Sequence, residues 1–199
     1  MKREVDDRTI LDKFAEDFAR VLEKHCKYIV VSGFVAIAHG RSRGTEDIDI
    51  IIEKISLERF IELHKELIKE EFECMQSENA EVIYDDYLNK GDSVRYVRKS
   101  EGYFPPEVEL KFAKDSLDEE QLKTRTKLPL TGLDVYFSSI EMNIAFKEEL
   151  LKTKKDMEDA NHLRIVYKEE ISEDKIEEIK KKIRALRMKN QKNLFKEDF

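Results

Sequence analysis

The sequence predicts an α+β fold: a mixed sheet with flanking helices over residues 1–137, then a helical lobe over 138–199. Three observations predict it. Helically spaced apolar residues bracket the chain, short β-branched runs crowd 28–137, and beyond 138 only helical periodicity remains.

The elements follow in order. Ile10, Leu11, Phe14, Phe18, Val21 and Leu22 fall on one stripe, which predicts an amphipathic helix over 9–24. YIVVSG is a short strand ending at Ser32-Gly33. FVAIAH reads as a short apolar helix closed by Gly40, and RSRGTE as a polar, basic loop. DIDIIIE alternates and then runs apolar, the pattern of a central strand. Ser56 is placed to cap a helix over 57–70, with Leu57, Phe60, Ile61, His64, Leu67 and Ile68 inward. Residues 72–92 carry no clean period. SVRYVRK reads as a strand, Pro105-Pro106 interrupts, and VELKFA alternates cleanly. A polar helix over 116–125 leads to KLPLTGLDVYFSS, which predicts a hairpin turning at Thr131-Gly132. Ser138 and Glu141 have capping-box spacing for a helix over 139–152. Helices over 156–168 and after Ser172 complete the chain.

Composition bounds the function. Charged residues make up 41% of the chain, against about a quarter in ordinary domains, and the net charge is −7. An extended duplex-coating surface is therefore not expected, since such surfaces are basic. A local basic face is still available: residues 180–196 hold eight Lys/Arg and no acids, which suits either an RNA contact or a solvated helix end. Two cysteines without a CxxC pair, and four dispersed histidines, give neither a disulfide framework nor a zinc site. The opening MKREVDDRTI has no apolar core and no run approaches membrane length, so a cytoplasmic protein without membrane association is expected.

The chemistry concentrates at Asp47 and Asp49. Standing two apart in a strand, they share a face. Two adjacent carboxylates repel unless a cation lies between them, and an oxygen-only pair suits a hard ion such as Mg²⁺ or Mn²⁺. Read blandly, they are surface acids on an edge strand, but an edge strand would not carry Ile48, Ile50, Ile51 and Ile52. Upstream, Ser32-Gly33 stands between a strand and a helix start, where backbone can approach a phosphate. Arg41 and Arg43 lie in the loop before the carboxylates and are suited to phosphate oxygens, although each taken singly reads as a solvated loop arginine. Ile140, Ile144, Lys147 and Leu151 follow 4, 3, 4 spacing, so Lys147 lies on an apolar stripe. It either snorkels outward or faces a cleft.

Taken together, SGFVAIAHGRSRGTEDIDIII resembles the signature of the nucleotidyltransferase superfamily: a small Gly/Ser turn, a short helix, then an Asp-x-Asp strand. It looks most like the AbiEii-type branch, which includes toxin–antitoxin nucleotidyltransferases. The branch's Arg-x-Thr-x-Asp-Ile-Asp run is matched by Arg43-Gly44-Thr45-Glu46-Asp47-Ile48-Asp49, while Ser32-Gly33 replaces the usual Gly-Gly. The resemblance implies a third carboxylate on a later strand, for which Glu109 is the candidate and Glu107 the rival. FKEELLKTKKDMEDA is similar to the branch's later block, with Lys147 matching its lysine and Lys155, Asp156 and Asp159 matching Lys/Arg-Asp-x-x-Asp. Asp156 also reads as a helix N-cap.

What the resemblance implies is metal-dependent transfer of a nucleoside monophosphate from a nucleoside triphosphate (NTP) to an acceptor hydroxyl. Asp47, Asp49 and Glu109 would hold Mg²⁺ or Mn²⁺. Lys147 and Asp159 would join them in catalysis, and Ser32, Gly33, Arg41, Arg43, Thr45, Lys155 and Asp156 would bind nucleotide. The helical lobe would complete the active-site cleft. The implied acceptor is a tRNA 3′ end or a protein side chain, and the implied partner an antitoxin. The alternatives are a small-molecule nucleotidyltransferase and a non-catalytic nucleotide-binding module of the same fold.

Overall fold

The computed structural model describes residues 9–42, 44, 47–98 and 106–197, with side chains described as far as residue 189. The chain divides into two compact units, Met1–Ser138 and Ser139–Phe199.

The first unit is built on a seven-stranded mixed sheet of order β3-β4-β5-β2-β1-β7-β6. Its strands are β1 (Tyr28–Val31), β2 (Asp47–Ile52), β3 (Phe72–Cys74), β4 (Val94–Arg98), β5 (Glu107–Phe112), β6 (Thr126–Lys127) and β7 (Tyr136–Phe137). β2 lies at the centre, parallel to β5 and antiparallel to β1. That is where an apolar run like DIDIII belongs.

One sheet face is dry. Val30, Ile50, Leu110 and Tyr96 lie on it, all fully buried. Helix α1 (Ile10–His25) brings Phe14 and Phe18 edge-on to Phe72, with centroids 5.4 and 5.0 Å apart. Thr9 starts α1 with a capping box to Asp12. Helix α3 (Leu57–Lys69) is capped by Ser56 as expected, but its buried stripe is Phe60, Leu63, His64 and Leu67. Ile68, expected inward, is 44% exposed. Ile68 is the last residue but one of the helix, and Leu63 takes the inward place.

The unpatterned stretch 72–92 resolves into β3, helix α4 (Ala80–Asp86) and a 3₁₀ turn over Leu88–Lys90 ended by Gly91 at φ 88°. Helix α5 (Ser116–Lys123) starts at Asp115, whose carboxylate accepts from two backbone N–H groups. The predicted hairpin is only partly a hairpin. β6 and β7 pair antiparallel through Thr126↔Phe137 and Lys127↔Tyr136, but Thr131-Gly132 closes a 3₁₀ turn and not a tight reversal. Pro129 opens that turn and lacks the N–H a ladder needs. Pro105 lies outside the described residues.

The second unit contains α6 (Ile140–Phe146), a π-helical turn over Lys147–Leu151, α7 (Lys154–Val166) and α8 (Glu173–Glu197). Its helix starts precede or follow the expected caps: by one residue at α6 and by three at α7. Ser139, and not Ser138, caps α6 by accepting from the Met142 N–H, because Ser138 is buried and its N–H bonds Val30 O at 3.3 Å. Thr153 caps α7, with Asp156 as its capping-box partner at the third helical position; Asp156 is therefore not itself the cap. Ile176, Ile179, Ile183 and Leu186 stand at helical spacing in α8; the three isoleucines are buried and Leu186 is half-buried.

Candidate functional site

The second face of the sheet carries the candidate acids. Asp47 pairs in register with Glu107, Asp49 with Glu109, and Ile51 with Lys111. Directly opposed residues on parallel strands point the same way, so four carboxylates share one face. β1 adds Val31 opposite Asp49, and β4 adds Arg95 opposite Glu109. Further along, this face turns dry: Ile29, Ile51 and Leu122 form a small apolar cluster with Val31 and Ala113 packed against it. Helix α5 thus closes the end of the face away from the carboxylates.

Ser32 and Gly33 bind the turn to this site. Gly33 opens helix α2 (Gly33–Ala38), five of whose six residues are buried. Ser32 precedes it at φ 66°, ψ −136°. Its hydroxyl donates to the carboxylate of Asp49. After α2, Gly40 adopts φ 85°, its N–H bonds Ile37 O at 2.8 Å, and the Arg41 N–H bonds Ala36 O at 3.1 Å. Arg41 is half-buried at this helix end. Arg43 and Thr45 lie outside the described residues.

The electrostatics are those of crowded acids. Burial pushes the Asp49 carboxyl above its usual range; the Ser32 hydroxyl and the Lys111 ammonium oppose this, and the charges of Glu109 and Asp47 reinforce it. Glu107 is raised too, chiefly by burial and by its hydrogen bond with Asp47, while Arg95 pulls the other way. The contest between Glu107 and Glu109 thus has a two-sided geometry. Glu109 stands beside Asp49, and Glu107 beside Asp47. Among the described residues no three carboxylate, imidazole or thiol groups converge into a ready-formed metal cage. The donor set nevertheless suits a hard divalent ion, being all oxygen, one-faced and short of positive charge.

The later block behaves differently. Lys147 does not snorkel: it is 1% exposed, with Nζ 2.9 Å from Asp159 Oδ2 and 3.6 Å from Asp156 Oδ1. Asp159 is fully buried. Asp156 also accepts from the Thr153 hydroxyl at 2.5 Å. Lys155 is exposed on the first turn of α7. Lys147, Asp156 and Asp159 therefore form one ion-paired cluster inside the helical unit.

Arg95 and Lys111 are the residues that the sequence reading left without a role. Their signal was a charge on the polar face of each strand, but which strands adjoin is not written in either segment.

No protein-family model matches the sequence. No curated protein matches it either. Solved structures do. The chain is similar to the antibiotic-resistance factor ANT(2'')-Ia in solution, at 12% identity, TM-score 0.55, covering 92% of this chain and 96% of that one. ANT(2'')-Ia in complex with adenylyl-2"-tobramycin matches at 16% identity and TM-score 0.53, covering 89% and 98%. An antigenic nucleotidyltransferase-like protein from Paracoccidioides brasiliensis gives 16% and 0.53, covering 92% and 90%. The protein therefore has a nucleotidyltransferase-like fold: a seven-stranded mixed sheet with flanking helices.

Proposed function

We propose that this chain transfers a nucleoside monophosphate from an NTP to an acceptor hydroxyl, with Asp47, Asp49 and Glu109 holding Mg²⁺ or Mn²⁺. The observation that carries the reading is the in-register set of acids on one sheet face, with Asp49 hydrogen-bonded by Ser32, the residue before α2. When bound, a divalent ion offsets triphosphate charge and makes an acceptor hydroxyl easier to deprotonate.

The protein's own residues supply the rest. The Ser32-Gly33 turn offers backbone to the phosphates. Arg41 stands one loop away, a charge for the leaving group. Glu109 stands in register beside Asp49 on the neighbouring strand. The new bond joins the acceptor oxygen to the α-phosphorus, the α–β anhydride bond breaks, and pyrophosphate leaves.

The Arg43-to-Asp49 run supports the AbiEii-type branch, and with it a tRNA 3′ end or a protein side chain as acceptor, a toxin role and an antitoxin partner. The basic stretch of α8 adds little to this: Lys180 is paired with Glu148, Lys182 with Glu178, and Arg184 with Glu149 and Glu177. A second reading, a small-molecule acceptor, draws on the neighbour complexed with adenylyl-2"-tobramycin.

The test incubates the protein with Mg²⁺, each α-labelled NTP in turn, and total cellular RNA plus protein, beside Asp49→Ala. Label on RNA or protein with wild type alone is expected. Clear Mg-NTP binding without label favours the small-molecule reading, and absence of Mg-NTP binding overturns the proposal.

A further inference from the structure

The carboxylate face carries one arginine that the proposed reaction does not use. Arg95 projects from β4 opposite Glu109, beside the strand that also carries Glu107. Its Nη1 lies 3.7 Å from Glu107 Oε1, and its Nη2 lies 4.0 Å from Glu109 Oε2. Both separations exceed hydrogen-bond length, so the attraction is coulombic and not bonded. The arginine side chain is 47% exposed, against 19% and 26% for the two glutamates. A well-hydrated, loosely held cation thus lies over two partly desolvated anions. Fixed pairs in this protein look different: Lys147 sits 2.9 Å from Asp159 with both side chains buried.

We propose that Arg95 is an exchangeable counter-cation: it offsets part of the charge of Glu107 and Glu109 while the site lacks a divalent ion, and it lowers the affinity of those carboxylates for the free ion. The inference rests on the metal-dependent reading above. An ion drawn to Glu109 and Asp49 meets the positive guanidinium, whose Nη2 lies 4.0 Å from Glu109 Oε2. The repulsion disfavours the ion alone. An ion arriving with a triphosphate brings negative charge that offsets Arg95, so the site discriminates the metal–nucleotide complex from the bare metal. Arg95 acts through the glutamates and is a positioning residue.

The experiment titrates Mn²⁺ alone into the full chain, by calorimetry and by the loss of the free-ion paramagnetic resonance signal. Wild type, Arg95→Gln and Arg95→Lys are compared, with circular dichroism confirming that each is folded. Removing one positive charge beside the ion is expected to tighten Mn²⁺ binding about tenfold in Arg95→Gln. Arg95→Lys, which keeps the charge, should stay near wild type, and the gap should narrow when Mn²⁺ is supplied with ATP. Equal or weaker Mn²⁺ binding by Arg95→Gln overturns the inference while leaving the metal reading intact. Absence of Mn²⁺ binding by any variant, with or without ATP, overturns both.

Discussion

Ser32 adopts a positive φ of 66°, a conformation in which Cβ crowds the backbone, and it does so where its hydroxyl reaches Asp49. A glycine would fit the backbone better, but it would lose the donor. Two substitutions separate these terms. Ser32→Gly and Ser32→Ala both remove the hydroxyl, yet only alanine keeps the Cβ. Glycine is expected to be the more stable of the two by about 1 kcal/mol in urea unfolding, the reverse of its usual standing. His64 offers a second test. Its Nε2 lies 3.2 Å from the Glu78 carbonyl, which can only accept, so Nε2 carries the proton and Nδ1 accepts from the Tyr96 hydroxyl at 2.9 Å. Burial holds this imidazole below its ordinary pKa. Below about pH 6.5 the unfolded chain gains a proton that folded His64 resists, so stability falls as the pH drops. Chemical denaturation at pH 7.5 and 5 should show a steeper loss for wild type than for His64→Gln.

The helical elements hold their own charge test. Lys147 sits at the start of a π-helical turn, buried against Asp159 of α7. Lys147→Met leaves Asp159 with a buried, uncompensated charge and is expected to cost about 3–5 kcal/mol. Adding Asp159→Leu should recover most of that, as read from urea midpoints; a single variant as stable as wild type would mean that the pair contributes nothing. This pairing was only half legible in the sequence. The 4, 3, 4 spacing placed Lys147 beside buried Ile140 and Ile144, although Leu151 at the end of that stripe is 45% exposed, but spacing along one helix cannot reveal the carboxylate that a second helix brings to it. The α6 cap slipped by one residue for a related reason. Adjacent serines at 138 and 139 are equally good caps in isolation, and only the bond from Ser138 N–H to Val30 O decides between them.

At the scale of the whole molecule, the sheet was legible where single strands announce themselves. DIDIII declared a central strand, and VELKFA declared its two faces. Strand order was not legible. No local pattern states that β5 lies parallel beside β2 with Asp49 against Glu109, and so none could show that Arg95, one strand further out, stands over both glutamates. The loop carrying Arg43 and Thr45 is legible as motif alone. The in-register acids also bear on assembly. Side chains in a strand alternate, so a slip of β2 by one residue would turn Asp47 and Asp49 into the packed side beside Val30 and Leu110, and push Ile48 and Ile50 into water. Each buried, unpaired carboxylate would cost several kcal/mol. Mispaired sheets are thereby self-rejecting: the residues proposed to do chemistry also proofread the fold.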